Sequence, residues 1–368
     1  MLAAAVLAVL AQAAAAGAER PAPPPLRTAV YVGPGAGGIG AVEWIRLVQE
    51  SPEMELRLVD ADGIGSGALD GLDLLVMPGG SSQGEYDALR TNGLERVKAF
   101  IRGGGGYIGT CAGCALVMDE KSRARMIPWK WSGSESCTIF PTFRLNERGA
   151  AALGLKAGPF AMRYHGGPFM WPSTNAFEGV STESWATFDA EVSMNGRVKA
   201  KKRMHGSTAI VGGTMGRGRV FVTAAHPEYF SGTLYMVRAA IRYVSGRDVT
   251  FPVRRRAPRA LSVGFLANRI DGVAVAETAL AVAAEPGFDL VAVDVAGLGR
   301  RQLDHVDVLV LTNDRAAKDG RAKSEIADFV SRGGKVVGIG AGAKALPPGG
   351  VTCGAGVDAV RTIRSLFR

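Results

Sequence analysis

The chain of 368 residues is long enough for two domains, and its 47% hydrophobic and 21% charged residues exclude a disordered polypeptide. Its net charge of +9 comes without a basic block interleaved with aromatic residues, so we expect no nucleic-acid partner. Four scattered cysteines (Cys111, Cys114, Cys137 and Cys353) exclude a disulfide scaffold, and the histidines show no metal-ligand spacing. We therefore expect neither a metal nor a cofactor.

The first segment, MLAAAVLAVLAQAAAAGA (1–18), is apolar and ends in small residues, which is typical of a secretory signal peptide. It lacks a positively charged start, so a retained membrane anchor is the alternative. Residues 19–27 are rich in proline and predict an extended spacer. The sequence thus predicts a periplasmic or secreted protein with no membrane span after cleavage.

Apolar runs then alternate with helical patterns over 28–250. The first four predicted strands are TAVYV (28–32), ELRLVD (55–60), LDLLVM (72–77) and YIG (107–109). A helical stripe between the last two contains Leu89, Leu94, Val97, Phe100 and Ile101. This alternation predicts a doubly wound parallel sheet. The pattern loosens over 119–205, where we predict a mostly β insert, and a closing helix is predicted at 234–244.

The second half predicts a smaller copy of the first. After a Pro- and Arg-rich linker (251–260), strand-helix alternation restarts over 261–368. FIRGGGGYIGTCAGCAL, from Phe100, aligns without gaps to FVSRGGKVVGIGAGAKA, from Phe329, and LDLLVMPGG aligns to VDVLVLTND. Cys111 falls opposite Gly340, so this copy keeps the fold pattern and lacks the cysteine.

The motif G-T-C-A-G at 109–113 has the form of a nucleophile elbow, a tight strand-to-helix turn that exposes the central side chain. Cys111 would be the nucleophile. The backbone N–H of Ala112, with that of Gly79 or Gly80 from the neighbouring strand end, would form an oxyanion hole.

A base and an orienting acid are predicted from the H-P-E segment. It follows an apolar run, and His226 and Glu228 would lie on one face of that strand. A cysteine nucleophile needs both partners, so these two residues are the candidates.

The ordered motifs P-G-G, G-x-C-A-G and H-P-E resemble the class I glutamine amidotransferase-like superfamily. Within it, the start Tyr31-x-Gly33-x-Gly35 and the segment YHGGP at 164–168 are similar to the N-terminal domain family of biotin-protein ligases. The resemblance covers roughly 28–248. It implies a flavodoxin-like sheet and a Cys-His-Glu triad of Cys111, His226 and Glu228, but no substrate.

The resemblance also assigns glycine-rich loops to the substrate side of the pocket. Gly33 and Gly35 belong to the first of them, and His165, Gly166 and Gly167 to a second. His165 either lines the pocket or caps a turn. No ammonia-accepting synthetase region and no biotin-ligase catalytic region is recognised, so we expect neither activity.

Other interpretations of these motifs remain open. Cys111 and Cys114 form a C-x-x-C pair, which is typical of redox proteins, and a buried structural cysteine is also common. The G-x-G-x-x-G pattern at 33–38, with Asp60 after the next strand, matches a dinucleotide fingerprint.

The favoured prediction is an exported cysteine-dependent hydrolase of the amidase type that acts on a small molecule. A non-catalytic periplasmic binding module with the same pocket is the alternative. The oligomeric state is not predicted.

Overall fold

The computed structural model of the protein describes residues 23–135, 138–189, 204–252, 260–266, 273–293, 302–314 and 318–367. The predicted signal peptide, Cys137 and most of the predicted linker lie outside these ranges. No helix within them is long and apolar enough to cross a membrane.

A parallel sheet forms the centre of the first half, in the order β2-β1-β3-β4-β13. Its strands are nearly continuous apolar runs because helices cover both faces. The prediction of a doubly wound sheet is confirmed. The strands are β1 (Leu26–Tyr31), β2 (Met54–Val59), β3 (Leu74–Met77), β4 (Gly106–Thr110) and β13 (Gly218–Thr223).

The helices of this half are α1 (Gly38–Glu50), α2 (Ala61–Gly65), α3 (Ser82–Arg102), α4 (Ala112–Leu116) and α6 (Leu234–Ser245). Ser81 caps α3 by accepting a hydrogen bond from Gly84 N–H. The predicted stripe on α3 is largely buried, but the helix kinks at Arg90, which has φ 51°. The sequence pattern shows no sign of this kink.

The described part of the insert is mostly β structure, as predicted, and it contains one helix, α5 (Glu147–Leu153). Strands β12, β11, β7 and β8 continue the central sheet beyond β13 in antiparallel pairing. A separate three-stranded sheet has the order β14-β9-β6. The strands are β5 (Trp129–Gly133), β6 (Thr138–Ile139), β7 (Thr142–Leu145), β8 (Gly158–Ala161), β9 (Arg163–His165), β10 (Phe169–Pro172), β11 (Val180–Phe188), β12 (Thr208–Met215) and β14 (Ala225–His226).

The second half contains a smaller, all-parallel sheet in the order β16-β15-β17-β18-β19. Its first four strands follow the same spatial order as β2-β1-β3-β4. The elements are β15 (Leu261–Leu266), α7 (Val273–Ala284), β16 (Phe288–Val293), β17 (Val308–Leu311), α8 (Gly320–Ser331), β18 (Lys335–Ile339), β19 (Val351–Cys353) and α9 (Val357–Ser365).

The two halves share close backbone approaches as well as topology. A Cβ added to Gly113 would lie 2.1 Å from the carbonyl oxygen of Met77, and one added to Gly342 would lie 1.9 Å from that of Leu311. Gly113 is equivalent to Gly342, and Met77 to Leu311, in the two aligned segments. Each glycine lets the turn after one strand pack against the end of the neighbouring strand.

The elbow conformation is also repeated. Cys111 has φ 50° and its counterpart Gly340 has φ 54°. Left-handed backbone is unfavourable for a residue with a Cβ and easy for glycine. The second copy therefore has a relaxed elbow, whereas the first keeps a side chain at a strained position.

Alanine substitutions should distinguish Gly342, which lies at a close backbone approach, from Gly340, which lies at the relaxed elbow. Gly342→Ala should lower the free energy of unfolding by about 3 kcal/mol or more, because its Cβ would collide with the Leu311 carbonyl. Gly340→Ala should cost only about 1 kcal/mol, because nothing lies within 4 Å of the added carbon. Urea unfolding measures both, with the helical Gly320→Ala as the control. Equal losses at Gly340 and Gly342 would contradict this account of the repeat.

The two halves pack against each other through α1. This helix is buried from Gly38 to Val48, and the apolar helix α7 shares a hydrophobic cluster with it. Its charged residues are paired, since Arg46 forms ion pairs with Glu43 at 2.7 Å and Glu50 at 3.1 Å. The second half therefore covers a helix whose first turn lies close to Gly79 and Glu228. A Cβ added to Gly40 would lie 3.3 Å from Gly79 N and 3.5 Å from Glu228 Oε1.

Candidate active site

Cys111 occupies a constrained turn between β4 and α4. Its backbone has φ 50° and ψ −99°, and its N–H donates to the Thr223 carbonyl oxygen at 2.8 Å. A Cβ on Gly109 would lie 2.5 Å from the carbonyl oxygen of Gly113. The flanking glycines thus allow the turn to close, which is the reason for their spacing in an elbow motif.

The H-P-E segment differs from the predicted strand. β13 ends at Thr223, His226 ends the short strand β14 in another sheet, and residues 227–229 form a 3₁₀ turn. Pro227 has no N–H for strand pairing and suits a first helical turn. The expectation that His226 and Glu228 share a strand face is wrong, since the turn itself brings the two side chains together.

Glu228 and His226 form a buried pair. His226 Nδ1 lies 2.9 Å from Glu228 Oε1, and the Thr110 hydroxyl donates to the same oxygen at 3.4 Å. His226 is 4% exposed and Glu228 is 0% exposed. Burial lowers the pKa of His226, but the charges of Glu228 and Cys111 outweigh it and raise this pKa to about 9. The protonated imidazole is therefore favoured where Cys111 is a thiolate, so the two residues would form an ion pair in which His226 holds the thiol proton.

Gly79 lies between Cys111 and His226. A Cβ added to Gly79 would lie 3.2 Å from the Cβ of Cys111 and 2.6 Å from Cε1 of His226. The predicted cysteine, histidine and glutamate are thus neighbours in the fold. Of the described backbone hydrogen bonds around this turn, none is donated by Gly79, Gly80 or Ala112. Their predicted role in an oxyanion hole stays a prediction.

The first glycine-rich loop packs mainly against the Pro-Gly-Gly turn. Gly37 N–H donates to the Gly79 carbonyl oxygen at 2.5 Å, and a Cβ on Gly80 would lie 2.1 Å from the Gly35 carbonyl oxygen. A Cβ on Gly33 would meet the ring of Tyr31. No described contact joins Gly33 or Gly35 to Cys111.

This packing weakens the dinucleotide alternative. A phosphate-binding loop needs backbone N–H groups that point at the ligand. Here the N–H groups of Ala36 and Gly37 are used within the protein. Asp60, the candidate ribose ligand, accepts from Gly63 N–H at 2.8 Å as the cap of α2.

The second glycine loop meets the site through its backbone. The Cys111 thiol donates to the His165 carbonyl oxygen at 3.4 Å, while the His165 side chain is exposed. A Cβ on Gly167 would lie 1.9 Å from the Ala224 carbonyl oxygen, and nothing lies within 4 Å of one on Gly166. Gly167 therefore permits close packing beside β14, and the His165 carbonyl is the group that contacts the cysteine.

The two cysteines of the C-x-x-C pair face different surroundings. Cys114 is 0% exposed and its sulfur contacts Met170 Sδ at 3.4 Å, whereas Cys111 is 8% exposed. Burial, and after it the charge of Cys111, raises the pKa of the Cys114 thiol well above its usual range. Thiolate is the reactive form, so Cys114 should be inert.

Alkylation should test this difference directly. Iodoacetamide at neutral pH should label Cys111 and leave Cys114 unlabelled in the folded protein, as read by peptide mass. Protein unfolded in urea provides the control in which both residues react. Equal labelling of the folded protein, or a Cys111–Cys114 disulfide after purification, would support the redox interpretation instead.

Sequence analysis missed Glu85, a glutamate at 0% exposure in the first turn of α3. One signal could have found it, since Glu85 lies four residues before Leu89 and so falls on the buried stripe of that helix. Within the described ranges, no group of three or more His, Cys, Asp or Glu side chains could hold a metal.

A parallel sheet with a cysteine elbow after β4 is the arrangement that the amidotransferase-like resemblance implies. Residues 31–118 match the family described as biotin-protein ligase, N terminal. The matched stretch contains the Pro-Gly-Gly turn and Cys111, and it confirms the resemblance that the motifs indicate. His226 and Glu228 lie beyond it.

Solved structures of similar fold include a ThuA-like protein from Bacteroides uniformis, with 10% identity, 63% of this chain and 98% of that chain covered, and a TM-score of 0.45. A glutamine amidotransferase is 16% identical, with a TM-score of 0.40, and the match covers 60% of this chain and 99% of that chain. A β-galactosidase from Bacillus circulans sp. alkalophilus has 10% identity and a TM-score of 0.35, over 55% of this chain and only 26% of that enzyme. These values are too low to transfer a function. Among curated proteins, none matches the chain.

Proposed function

We propose that the protein is a cysteine-dependent hydrolase of the amidase type, with Cys111 as nucleophile, His226 as base and Glu228 as the residue that orients the base. The main support for this proposal is the 2.9 Å contact between His226 Nδ1 and Glu228 Oε1, beside Cys111 in its tight strand-to-helix turn. With Nδ1 bonded to the carboxylate, Nε2 is the nitrogen left to exchange a proton with sulfur.

The reaction would proceed in two steps. The Cys111 sulfur, after its proton moves to His226, attacks the carbonyl carbon of the substrate and forms a thioester. The C–N bond breaks, and the leaving amine takes the proton from His226. Water then cleaves the thioester, with its proton passing through His226 back to sulfur. The N–H groups of Gly79 and Ala112 would stabilise the oxyanion.

A non-catalytic binding module is the second candidate. It is favoured by the low exposure of the reactive groups, 8% for Cys111 and 4% for His226, which limits access for a substrate. In this case the same residues would form the wall of a ligand pocket, and no bond to sulfur would form.

Trapping of an acyl adduct distinguishes the two candidates. The protein is incubated with a panel of small activated amides and esters, and the peptide containing Cys111 is examined by mass spectrometry. The hydrolase proposal expects an acyl mass increase on Cys111 and release of the leaving group, both absent in Cys111→Ala. The binding module expects equal thermal stabilisation of both proteins by a ligand, with no adduct.

We also propose that the protein is exported, on the basis of the apolar segment at 1–18. Expression of the full chain in a bacterial host, followed by fractionation and N-terminal sequencing, tests this. A periplasmic product that starts near residue 19 supports export. A cytoplasmic product that keeps residue 1 would contradict it.

A further inference from the structure

Arginine side chains gather at one edge of the central sheet, where its parallel strands begin. The amino ends of β1, β3, β4 and β13 meet at this edge because neighbouring parallel strands run in the same direction. Cys111 lies at the opposite edge, after the carboxyl end of β4. The arginines of this edge, at strand starts and around the ends of α3 and α6, are Arg27, Arg96, Arg102, Arg217, Arg219, Arg242 and Arg247.

Backbone carbonyl groups hold several of these side chains in place. The Arg217 guanidinium donates to the Gly103 carbonyl oxygen at 2.8 Å, and the Arg219 guanidinium donates to that of Tyr243 at 2.9 Å. A carbonyl oxygen accepts a hydrogen bond but carries no full negative charge. These contacts therefore orient the guanidinium groups and leave their charge in place.

A surface cleft joins two more arginines to this edge. Arg96 from α3 and Arg247 from the segment after α6 line the same cleft. Arg247 also donates to the carbonyl oxygen of Pro24. Asp70 lines the cleft too and offsets one of the two positive charges.

Few of the arginines have a carboxylate partner. Arg27 forms an ion pair with Asp73 at 2.8 Å, and Arg242 lies 3.7 Å from Asp248. Even with the carboxylate of Glu53, before β2, the edge keeps an excess of positive charge. The arginines that form no ion pair with a described residue are Arg96, Arg102, Arg217, Arg219 and Arg247.

The chain enters the described structure at this same edge. β1 begins at Leu26, and Pro24 is held by Arg247. The predicted apolar segment ends at residue 18, and the six residues from there to Pro24 span at most about 20 Å. A membrane that receives the apolar segment therefore lies within reach of the arginine edge.

We propose that the arginine edge binds an anionic phospholipid surface on the side from which the chain emerges. Guanidinium groups form paired hydrogen bonds with phosphate, and basic side chains next to a membrane segment are attracted to anionic headgroups. Nucleic acid is another polyanion, but the neighbouring apolar segment favours the lipid. The inference is independent of the proposed reaction, because it uses no residue of the candidate site.

This orientation would direct the candidate site away from the membrane. The five residues of β4 separate the end of α3 from Cys111, and a strand of that length spans about 17 Å. The two edges of the sheet would then have different roles, one in membrane contact and the other in chemistry on a small molecule from solution.

Vesicle binding tests the proposal on the protein as recovered from the bacterial host. Vesicles of phosphatidylcholine alone are compared with vesicles of phosphatidylcholine and phosphatidylglycerol in equal parts. An apolar segment that is still present contributes equally to both, so the ratio of the two affinities measures the effect of charge. An excess of about three positive charges, at about 5-fold each, predicts a ratio of about 100 at low salt. The ratio should fall steeply as salt is added.

A double substitution and a matched control locate the effect. Arg96 and Arg102 are exposed and have no side-chain hydrogen bond to a described residue, so Arg96→Gln with Arg102→Gln should keep the fold. This pair should weaken binding to the mixed vesicles about 25-fold and leave the affinity for phosphatidylcholine unchanged. The control, Arg90→Gln with Lys121→Gln, removes two exposed charges on the side of the carboxyl edge and should keep the wild-type ratio.

Three results would overturn the proposal. The first is equal affinity of the wild type for the two kinds of vesicle, and the second is an equal loss in the double variant and its control. The third is tighter binding of a short DNA duplex than of the mixed vesicles, weakened by the same arginine pair, which would assign the edge to nucleic acid. Circular dichroism verifies the fold of every variant.

Discussion

Replacement of His226 by alanine is expected to slow covalent labelling of Cys111 by an acylating probe about 100-fold or more at neutral pH. General acid–base catalysis contributes roughly 10²–10⁴-fold, and this variant removes both the base and its contact with Glu228. Labelling rates from peptide mass measure the effect, and circular dichroism verifies the fold.

Two further variants complete this prediction. His205→Ala, at an exposed turn, is the matched control and should label at the wild-type rate. Cys111→Ser keeps most of the packing but should lose turnover by orders of magnitude, because a serine hydroxyl is far less ionised beside the same base. Equal labelling of the His226→Ala and wild-type proteins would mean that no base activates this thiol, and the binding module would then be favoured.

The second large effect is expected from Gly79→Ala, which removes no reactive atom. The new Cβ would lie 2.6 Å from Cε1 of His226 and 3.2 Å from the Cβ of Cys111, so the imidazole has to shift from its position. A misplacement of about 1 Å in a catalytic group can reduce a rate about 100-fold. We therefore expect labelling to fall by about that factor while the protein stays folded.

A control for Gly79→Ala is available on the neighbouring loop. A Cβ on Gly166 would meet nothing within 4 Å, so Gly166→Ala should keep the labelling rate and lose only the stability due to its φ of 72°. A Gly79→Ala protein that labels as fast as the wild type would contradict the arrangement of Cys111 and His226 described above.

The parallel sheet was predictable because its signal is local and repeated. Each buried strand is an apolar run of similar length, and glycines mark the turns between strand and helix. The repeat was predictable for the same reason, since Gly113 and Gly342 allow equivalent backbone approaches in the two halves. Only glycine fits such a close approach, so a glycine occupies the equivalent position in both halves of the sequence.

Several features of the site could not be predicted because they depend on contacts between distant segments. The 3₁₀ turn that brings Glu228 to His226 replaces the continuous strand expected from the apolar pattern. The contact of Cys111 with residue 165 uses a backbone carbonyl, which every residue has, so the side chain gives no indication of it.

The central claim is that Cys111, His226 and Glu228 act as one unit, and a double-mutant cycle on the labelling rate tests it most directly. The measurement compares His226→Ala, Glu228→Gln and the double variant with the wild type. Because Glu228 would act only through the imidazole, the account predicts that the double variant labels no more slowly than His226→Ala. Losses that multiply, so that Glu228→Gln slows labelling further when His226 is already absent, would contradict it.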